Sequence, residues 1–184
     1  MRHAQSVANA EGWYAGTCDA HLTALGERQA VTARAQVAEL SFVRVFCSDL
    51  QRARRTAELV VDRHGLPIVS TPALRERSCG EWESCAITEI EGDGRAEVLL
   101  SFRERPPGGE SLHDVARRAL RWLAEVDGPA DTLVVAHGAL IRSVIGVLDG
   151  TPESAIGLYR PKNCEIVRRD LPIGHWSRLL QSLR

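Results

Sequence analysis

Lysine is almost absent from this chain: of its 23 basic residues, only Lys162 is a lysine. A bias this extreme is better explained by GC-rich codon usage than by a separate need for each guanidinium group, so arginine content alone does not indicate phosphate binding. Net charge is also nearly absent, at −1. Such a chain has no global field that would attract nucleic acid or an anionic membrane, and we expect neither as a partner. Any anion site must come from a local cluster.

Long apolar runs and paired cysteines are missing as well. The longest apolar run, 132–148, is interrupted by His137 and Arg142 and is too short to span a bilayer. The N-terminus lacks the charged-then-apolar pattern of a signal peptide. The five cysteines are odd in number and form no C-x-x-C pair, which argues against a disulfide framework or a zinc site. We therefore expect a cytoplasmic protein with reduced thiols.

The hydrophobic pattern predicts a single α/β domain over residues 1–184. With 44% hydrophobic residues, a chain of this length can bury a core without disulfides or metals. Short runs of β-branched residues alternate with helical patterns, which favours a three-layer fold with a mostly parallel central sheet and helices on both faces. The predicted strands are Val43–Cys47, Leu66–Ser70 and Thr132–Ala136.

Helices are predicted between and after these strands. Ser48 and Gln51 have the spacing of a capping box, which would open a helix running to about His64. Further helices are predicted from Leu22 to about Leu40, after Ser111, and over Leu140–Leu148. Residues 83–109 are charged and rich in glycine and proline, and we interpret them as an excursion that covers the functional site.

Side chains suited to phosphoryl transfer fall at the edges of these elements: Arg2, His3, Arg52, Glu76 and His137. Ligands of α/β folds bind at the carboxyl ends of the parallel strands, where Arg52 and His137 are expected to lie. Transfer from a phosphomonoester needs planar donors around the phosphate oxygens, an in-line nucleophile and an acid for the leaving alkoxide. The arginines can supply the donors, either histidine the nucleophile, and Glu76 the acid that later activates water.

Simpler interpretations compete at several positions. Glu76 lies within a charged run, so a solvated surface carboxylate is its rival interpretation, and Glu81, Glu83 and Glu110 are the next candidates for the acid. The aromatic residues near the predicted site could line a substrate pocket or simply pack in the core; they are Trp13, Tyr14, Trp82 and Phe102.

Six segments carry a specific pattern that covers about residues 2–150. In chain order they are Arg2-His3-Ala4-x-Ser6-x-x-Asn9, Gly16-x-x-Asp19-x-x-Leu22-Thr23, Ser48-Asp49-Leu50-x-Arg52-Ala53, Leu74-x-Glu76-x-x-x-Gly80-x-Trp82-Glu83, Gly109-Glu110-Ser111 and His137-Gly138. Together they resemble the histidine phosphatase superfamily, in its phosphoglycerate-mutase-like branch.

The resemblance implies a role for each matching residue. His3 would be the phosphorylated nucleophile and Glu76 the proton donor. The phosphoryl group would be bound by Arg2, Arg52 and His137, with further substrate or phosphate contacts from Asn9, Gly16 and Gly138. No metal and no cofactor are implied.

Two departures from the family pattern affect the N-terminal motif. Ala4 stands where glycine is usual, and its methyl group must fit beside the phosphate. Family members also have a hydrophobic strand leading into the Arg-His pair, whereas here only Met1 precedes it. Either the start lies upstream of this sequence, or the sheet lacks a strand and His3 is held by other contacts.

Hydrolysis is the activity that the pattern favours. Mutases resembling this chain usually carry His-Gly-Asn where this chain has Ala139 after His137-Gly138, and basic residues that could hold a second acidic group of the substrate are not evident. The Arg-His-x-x-Ser and Pro-x-Gly-Glu-Ser patterns look more like the small-molecule phosphatases related to α-ribazole phosphatase. A phosphoglycerate-type mutase and a phosphate-binding module without turnover remain as alternatives. The substrate is expected to be a small phosphomonoester, and a homodimer is left open.

Overall fold

Three parallel strands form the central sheet of the computed structural model, which describes residues 1–62, 64–92 and 94–183. Arg63, Asp93 and Arg184, which fall within predicted segments, lie outside these ranges. The strands are β1 (Arg44–Ser48), β2 (Ile68–Thr71) and β3 (Thr132–Val135), in the order β2-β1-β3. Phe46 at the centre of β1 lies opposite Val69 on one side and Val134 on the other.

Helices cover both faces of this sheet. In chain order they are α1 (Val7–Glu11), α2 (Ala24–Ala38), α3 (Gln51–Val61), α4 (Ile87–Gly92), α5 (Ala96–Leu100), α6 (Leu112–Glu125), α7 (Gly138–Leu148), α8 (Glu153–Ile156) and α9 (His175–Ser182). Helices α2 and α3 pack together on one face, and α6, α7 and α9 pack on the other. The predicted three-layer α/β fold is confirmed.

The pleat of the strands divides the core between the two faces. Val45 and Cys47 of β1 are buried against the α2 and α3 side, whereas Phe46 between them packs against the α6 and α7 side. Trp122 of α6 meets the Phe46 ring edge-on, with ring centroids 5.0 Å apart. The apolar centre of β1, formed by Val45, Phe46 and Cys47, is therefore covered by helices on both faces of the sheet, as is typical of parallel sheets.

The N-terminal segment occupies the free side of β3. Arg2 forms an isolated parallel bridge with Ala136, in which the Ala136 N–H donates to the Met1 carbonyl and the His3 N–H donates to the Ala136 carbonyl, both at 2.9 Å. On its other side, the Arg2 N–H donates to the Glu165 carbonyl at 3.0 Å. Hydrogen bonds to two neighbouring segments therefore hold the Arg2-His3 pair in line with the sheet.

One predicted helix start is wrong. The N-cap of α3 is Leu50, without a side-chain cap, because the Ser48 hydroxyl accepts from the Leu50 N–H at 3.2 Å instead of capping the helix. Ser48 still belongs to β1, so the capping box predicted from Ser48 and Gln51 does not form. The helix also ends at Val61, before His64, and β2 lies at Ile68–Thr71 rather than Leu66–Ser70. Pro67 stands directly before β2 and has no N–H to give to a strand ladder, so Leu66 and Pro67 are not part of the strand.

The helices in the described part of the chain include none with the length and apolar character that crossing a membrane requires.

The capping box of α6 provides a test of the fold. The buried Ser111 hydroxyl accepts from the Asp114 N–H at 3.1 Å, and the Asp114 carboxylate accepts in return from the Ser111 N–H at 2.9 Å. We predict that Ser111→Ala lowers the free energy of unfolding by about 1 kcal/mol. Urea denaturation followed by circular dichroism measures it. Thr32→Ala on the exposed face of α2 is the matched control and should cost under about 0.5 kcal/mol; equal losses would show that the cap is unimportant.

Candidate active site

His3 lies buried at the end of the N-terminal segment, with its ring fixed by the backbone. Its Nδ1 atom is 2.7 Å from the carbonyl oxygen of Ala4. Because a carbonyl oxygen can only accept, Nδ1 must carry the proton, which leaves the lone pair on Nε2. The main-chain carbonyl of His3 in turn accepts from the Asn163 amide at 3.0 Å. The ring is thus presented as a neutral imidazole with Nε2 available as a nucleophile.

Arg52 sits in the first turn of α3 and is almost completely buried. Its guanidinium group donates to the carbonyl oxygens of Gly16 at 2.8 Å and Cys18 at 2.9 Å, so the 16–18 loop fixes its orientation. Gly16 has φ +48°, and a Cβ atom there would lie 2.3 Å from a carboxylate oxygen of Glu83. Glycine is therefore required at this position, where it supports Arg52 through its backbone.

His137 lies at the carboxyl end of β3, as predicted, and is the N-cap residue of α7. Its ring is fully buried, neither ring nitrogen has a hydrogen-bond partner among the described residues, and its centroid lies 5.1 Å from that of His3. A Cβ atom on Gly138 would point between Arg2 Nε, at 3.6 Å, and Glu76 Oε2, at 3.8 Å. The missing side chain leaves the space between those two groups open to a ligand.

Glu76 follows β2 and the 3₁₀ turn Pro72–Leu74, and its carboxylate reaches the start of α7. Its Oε1 atom accepts from the Ala139 N–H at 3.0 Å and the Arg77 N–H at 2.9 Å. Glu76 is therefore held by backbone donors rather than left in a solvated charge run. A helix N-terminus favours an anionic side chain in this position.

Arg118 of α6 braces the turn that carries Glu76. It donates to the carbonyls of Ala73 at 2.9 Å, Arg75 at 3.1 Å and Glu76 at 3.4 Å, while Glu110 accepts from its guanidinium at 2.9 and 3.0 Å. Arg118 was not predicted as a functional residue from the sequence. The sequence feature that could have indicated its role is the Gly109-Glu110-Ser111 motif, because this motif places Glu110 just before the helix that contains Arg118.

Glu83 joins the loop that supports Arg52 to the loop after Glu76. Its carboxylate accepts from the Thr17 N–H at 2.9 Å, from the Cys79 N–H at 3.1 Å and from the Cys18 thiol at 3.1 Å. Burial raises the pKa of Glu83, but the hydrogen bonds from Thr17 and Cys18 outweigh it and keep that pKa below the usual range. Its position is structural, and Glu83 is not placed as the acid.

Burial and positive charge keep the two histidines neutral. Desolvation, followed by the positive charges of Arg52 and Arg2, lowers the pKa of His3 well below its ordinary value. The pKa of His137 is lowered in the same way, first by burial and then by Arg52. Neutral imidazole is the form that can attack phosphorus, so the site favours the reactive state of His3.

The remaining residues of the predicted pattern occupy different positions. Asn9 is exposed, and its side-chain oxygen accepts from the Ser6 N–H at 3.2 Å and the Asn163 amide at 3.3 Å. Ala4 is fully buried without a positive φ, and its N–H donates to the Thr56 hydroxyl at 3.0 Å, so its backbone does not require glycine. Of the aromatic candidates, Trp82 and Phe102 pack in the core, whereas Tyr14 is half-buried.

Comparison with known proteins agrees with this geometry. The family model of the histidine phosphatase superfamily, branch 1, matches residues 1–181. The chain therefore belongs to the histidine phosphatase superfamily, and the sequence-based prediction of a histidine-phosphatase-type enzyme is confirmed at that level.

Relatives in this family carry several names. A probable phosphoglycerate mutase GpmB of Escherichia fergusonii is 33% identical over an alignment of 183 positions that covers 96% of this chain and 85% of the relative. The solved structure of a mycobacterial glucosyl-3-phosphoglycerate phosphatase complexed with VO3 is 30% identical, with a TM-score of 0.82 over 89% of this chain and 87% of that one. The α-ribazole phosphatase of Shigella flexneri is 27% identical, with a TM-score of 0.74 over 89% and 85% of the two chains.

The buried neutral histidines predict how stability depends on pH. Below about pH 6.5, an unfolded histidine binds a proton that His3 and His137 in the folded protein do not bind, so the unfolded state binds more protons. The free energy of unfolding should therefore fall as pH drops from 6.5 to 5, by up to ~1.4 kcal/mol per pH unit for each histidine. Urea denaturation at several pH values measures this slope.

His137→Asn should reduce that slope, whereas replacing the exposed His21 by Asn should leave it unchanged. A wild-type slope equal to that of the His137 variant would contradict the buried, neutral state assigned to this ring.

Proposed function

We propose that this protein is a phosphomonoester hydrolase that works through a phosphohistidine intermediate on a small phosphorylated metabolite. The observation that carries the proposal is the His3 ring, held by the Ala4 carbonyl with Nε2 free and surrounded by Arg2, Arg52 and His137. The phosphatases among its solved relatives support hydrolysis as the activity.

In the first step, the Nε2 lone pair of His3 attacks phosphorus in line with the ester oxygen. The N–P bond forms as the P–O bond to the alkoxide breaks, and Glu76, which is protonated when it lies beside the phosphate dianion, gives its proton to the leaving oxygen. Arg2 and Arg52 hold the equatorial oxygens, where positive charge stabilises the transition state. Both guanidinium groups are anchored by carbonyl oxygens, Arg2 by Pro161 at 2.7 Å, so they need little reorganisation.

In the second step, water attacks the phosphohistidine. Glu76, now a carboxylate, takes a proton from the water as the new P–O bond forms and the N–P bond breaks. His3 returns to its neutral form and inorganic phosphate leaves. One carboxyl group thus acts as acid and then as base, which is consistent with its position beside the open space next to Gly138.

A phosphoglycerate-type mutase is the second candidate. The curated relatives named probable phosphoglycerate mutase favour it, because they match 96% of this chain. In a mutase, a second hydroxyl of the substrate would accept the phosphoryl group from His3 in place of water. A coupled assay separates the two activities: the proposal requires phosphate release from phosphoglycerates to be faster than their interconversion.

The first test of the proposal is the covalent intermediate. Wild-type protein mixed with 4-nitrophenyl phosphate and quenched within milliseconds should gain the mass of one phosphoryl group on the peptide that contains His3, also in the presence of EDTA. His3→Ala should abolish both the labelled peptide and turnover, whereas His21→Ala should change neither. Turnover by His3→Ala, or label on another peptide, would place the nucleophile elsewhere.

The second test concerns the proton donated by Glu76. Glu76→Gln should slow hydrolysis of alkyl phosphates, such as glycerol 3-phosphate, by at least about 100-fold, because an alkoxide needs a proton to leave. It should slow 4-nitrophenyl phosphate by a much smaller factor, since nitrophenolate leaves without one. Steady-state kcat/KM values for both substrates decide the point. Equal losses would make Glu76 a positioning residue and not the acid.

A further inference from the structure

The carboxylate of Glu83 ties together two loops of the candidate active site. From the first loop, it accepts from the Thr17 N–H at 2.9 Å, from the Thr17 hydroxyl at 3.0 Å and from the Cys18 thiol at 3.1 Å. From the second loop, it accepts from the Cys79 N–H at 3.1 Å and from the Ser78 hydroxyl at 3.2 Å. Such donors bind an ionised acceptor more strongly than a neutral one, so the connection between the loops depends on the charge of Glu83.

The peptide group between Gly16 and Thr17 connects this carboxylate with Arg52. Its N–H donates to Glu83 at 2.9 Å, and its carbonyl oxygen, that of Gly16, accepts from the Arg52 guanidinium at 2.8 Å. The N–H and C=O of a planar trans peptide point in opposite directions, so one rigid group links the two side chains. A change in the direction of the N–H therefore turns the carbonyl that orients Arg52.

Close packing around Glu83 leaves this arrangement little freedom. Gly16 is buried, and a Cβ atom there would lie 2.3 Å from Oε1 of Glu83 and 2.7 Å from its Cδ atom. Arg52 is 1% exposed and donates also to the Cys18 carbonyl at 2.9 Å, while the thiol of the same cysteine donates to Glu83. Both carbonyls that orient the guanidinium therefore belong to the loop that Glu83 holds.

We infer that Glu83 is a positioning residue, which orients the guanidinium of Arg52 through the peptide group between Gly16 and Thr17. The inference rests on the proposed function, in which Arg52 holds oxygen atoms of the transferred phosphoryl group. A bidentate guanidinium contact depends on direction as well as on charge, so a rotated Arg52 binds phosphate less tightly although its charge is unchanged. Glu83 takes no part in proton transfer, and its effect is the same whatever group leaves.

The variant Glu83→Gln tests this role, because it keeps the size of the side chain and removes its charge. It should lower kcat/KM by at least about tenfold for 4-nitrophenyl phosphate and by a similar factor for glycerol 3-phosphate, since Arg52 serves both substrates. Glu81→Gln, exposed in the same segment, is the matched control and should leave both values unchanged. Unchanged kinetics in the Glu83 variant, or a much larger loss for glycerol 3-phosphate, would overturn the inference.

A double-mutant cycle shows whether Glu83 acts through Arg52. Arg52→Lys keeps the positive charge and removes the planar pair of donors. If Glu83 acts by orienting that pair, adding Glu83→Gln to Arg52→Lys should lower kcat/KM by less than about threefold further. A further loss as large as that of Glu83→Gln in the wild-type background would show independent effects and overturn the inference.

A milder variant covers the case in which Glu83→Gln is recovered unfolded. Thr17→Val keeps the peptide hydrogen bonds to Glu83 and Arg52 and removes only the hydroxyl that donates to Glu83. It should lower kcat/KM by about threefold for both substrates, because the loop is then held by fewer donors. Unchanged kinetics of Thr17→Val would in that case overturn the inference.

Binding of inorganic phosphate separates this inference from the proposed function. Titration calorimetry, which needs no turnover, should show at least about tenfold weaker phosphate binding by Glu83→Gln than by wild-type protein or Glu81→Gln. If wild-type protein binds phosphate but hydrolyses no phosphomonoester, the proposed function fails and this comparison still decides the role of Glu83. Equal affinities, with or without a lower melting temperature, would make Glu83 a structural residue and overturn the inference. No phosphate binding by wild-type protein would overturn both.

Discussion

The concentration of buried guanidinium charge around a single carboxylate is the constraint on which this structure depends. Arg2, Arg52, Arg77 and Arg142 are largely removed from water, and Glu76 is the carboxylate that acts on all four. Desolvation lowers the pKa of each arginine, because removing a charged guanidinium group from water costs free energy. A bound anion would offset part of that cost. In the proposed function, a phosphorylated ligand supplies that anion. The same field keeps His3 and His137 neutral, so the proposed phosphate binding and the proposed reactivity of His3 have one electrostatic origin.

The backbone holds this charged group together. The Gly16 and Cys18 carbonyls fix Arg52, the Pro161 carbonyl fixes Arg2, and the Ala4 carbonyl fixes the His3 ring. Carbonyl oxygens orient a guanidinium or imidazole group without neutralising it, which a carboxylate would do. The carboxylates of Glu83 and Glu110 are occupied by loop N–H groups and by Arg118. The positive charge therefore remains available to a ligand.

The positions of candidate site residues were predicted best where they follow from the order of strands and helices along the chain. His137 comes directly after a β-branched run and Arg52 opens the helix after another, so parallel pairing of β1 and β3 had to bring them to one edge of the sheet. Ser48 was misassigned because its hydroxyl can either cap a helix or bond to the second residue after it, and the local pattern is the same. The segment around Arg2 was harder to predict, since its hydrogen bonds come from Ala136 and Glu165, more than 130 positions away.

The buried arginines Arg77 and Arg142 show what the spacing of residues in a sequence does not reveal. Arg77 stands in a charged run that is typical of a solvated surface, and only the tertiary structure buries it against Leu99. The sequence did single out Arg142, because this charged residue interrupts the otherwise apolar pattern of α7. Without the three-dimensional contacts, however, Arg142 could not be connected with Arg77.

The whole site depends on His3 being a neutral imidazole with its proton on Nδ1 and a free lone pair on Nε2. Long-range proton–nitrogen correlation spectra of protein labelled with nitrogen-15 at histidine report the tautomer of each ring directly, with His3→Ala identifying the His3 signals. We expect a protonated Nδ1 and an unprotonated Nε2 at pH 7, unchanged as the pH falls through the ordinary histidine range near 6.5. An imidazolium pattern at pH 7, or a proton on Nε2, would contradict it.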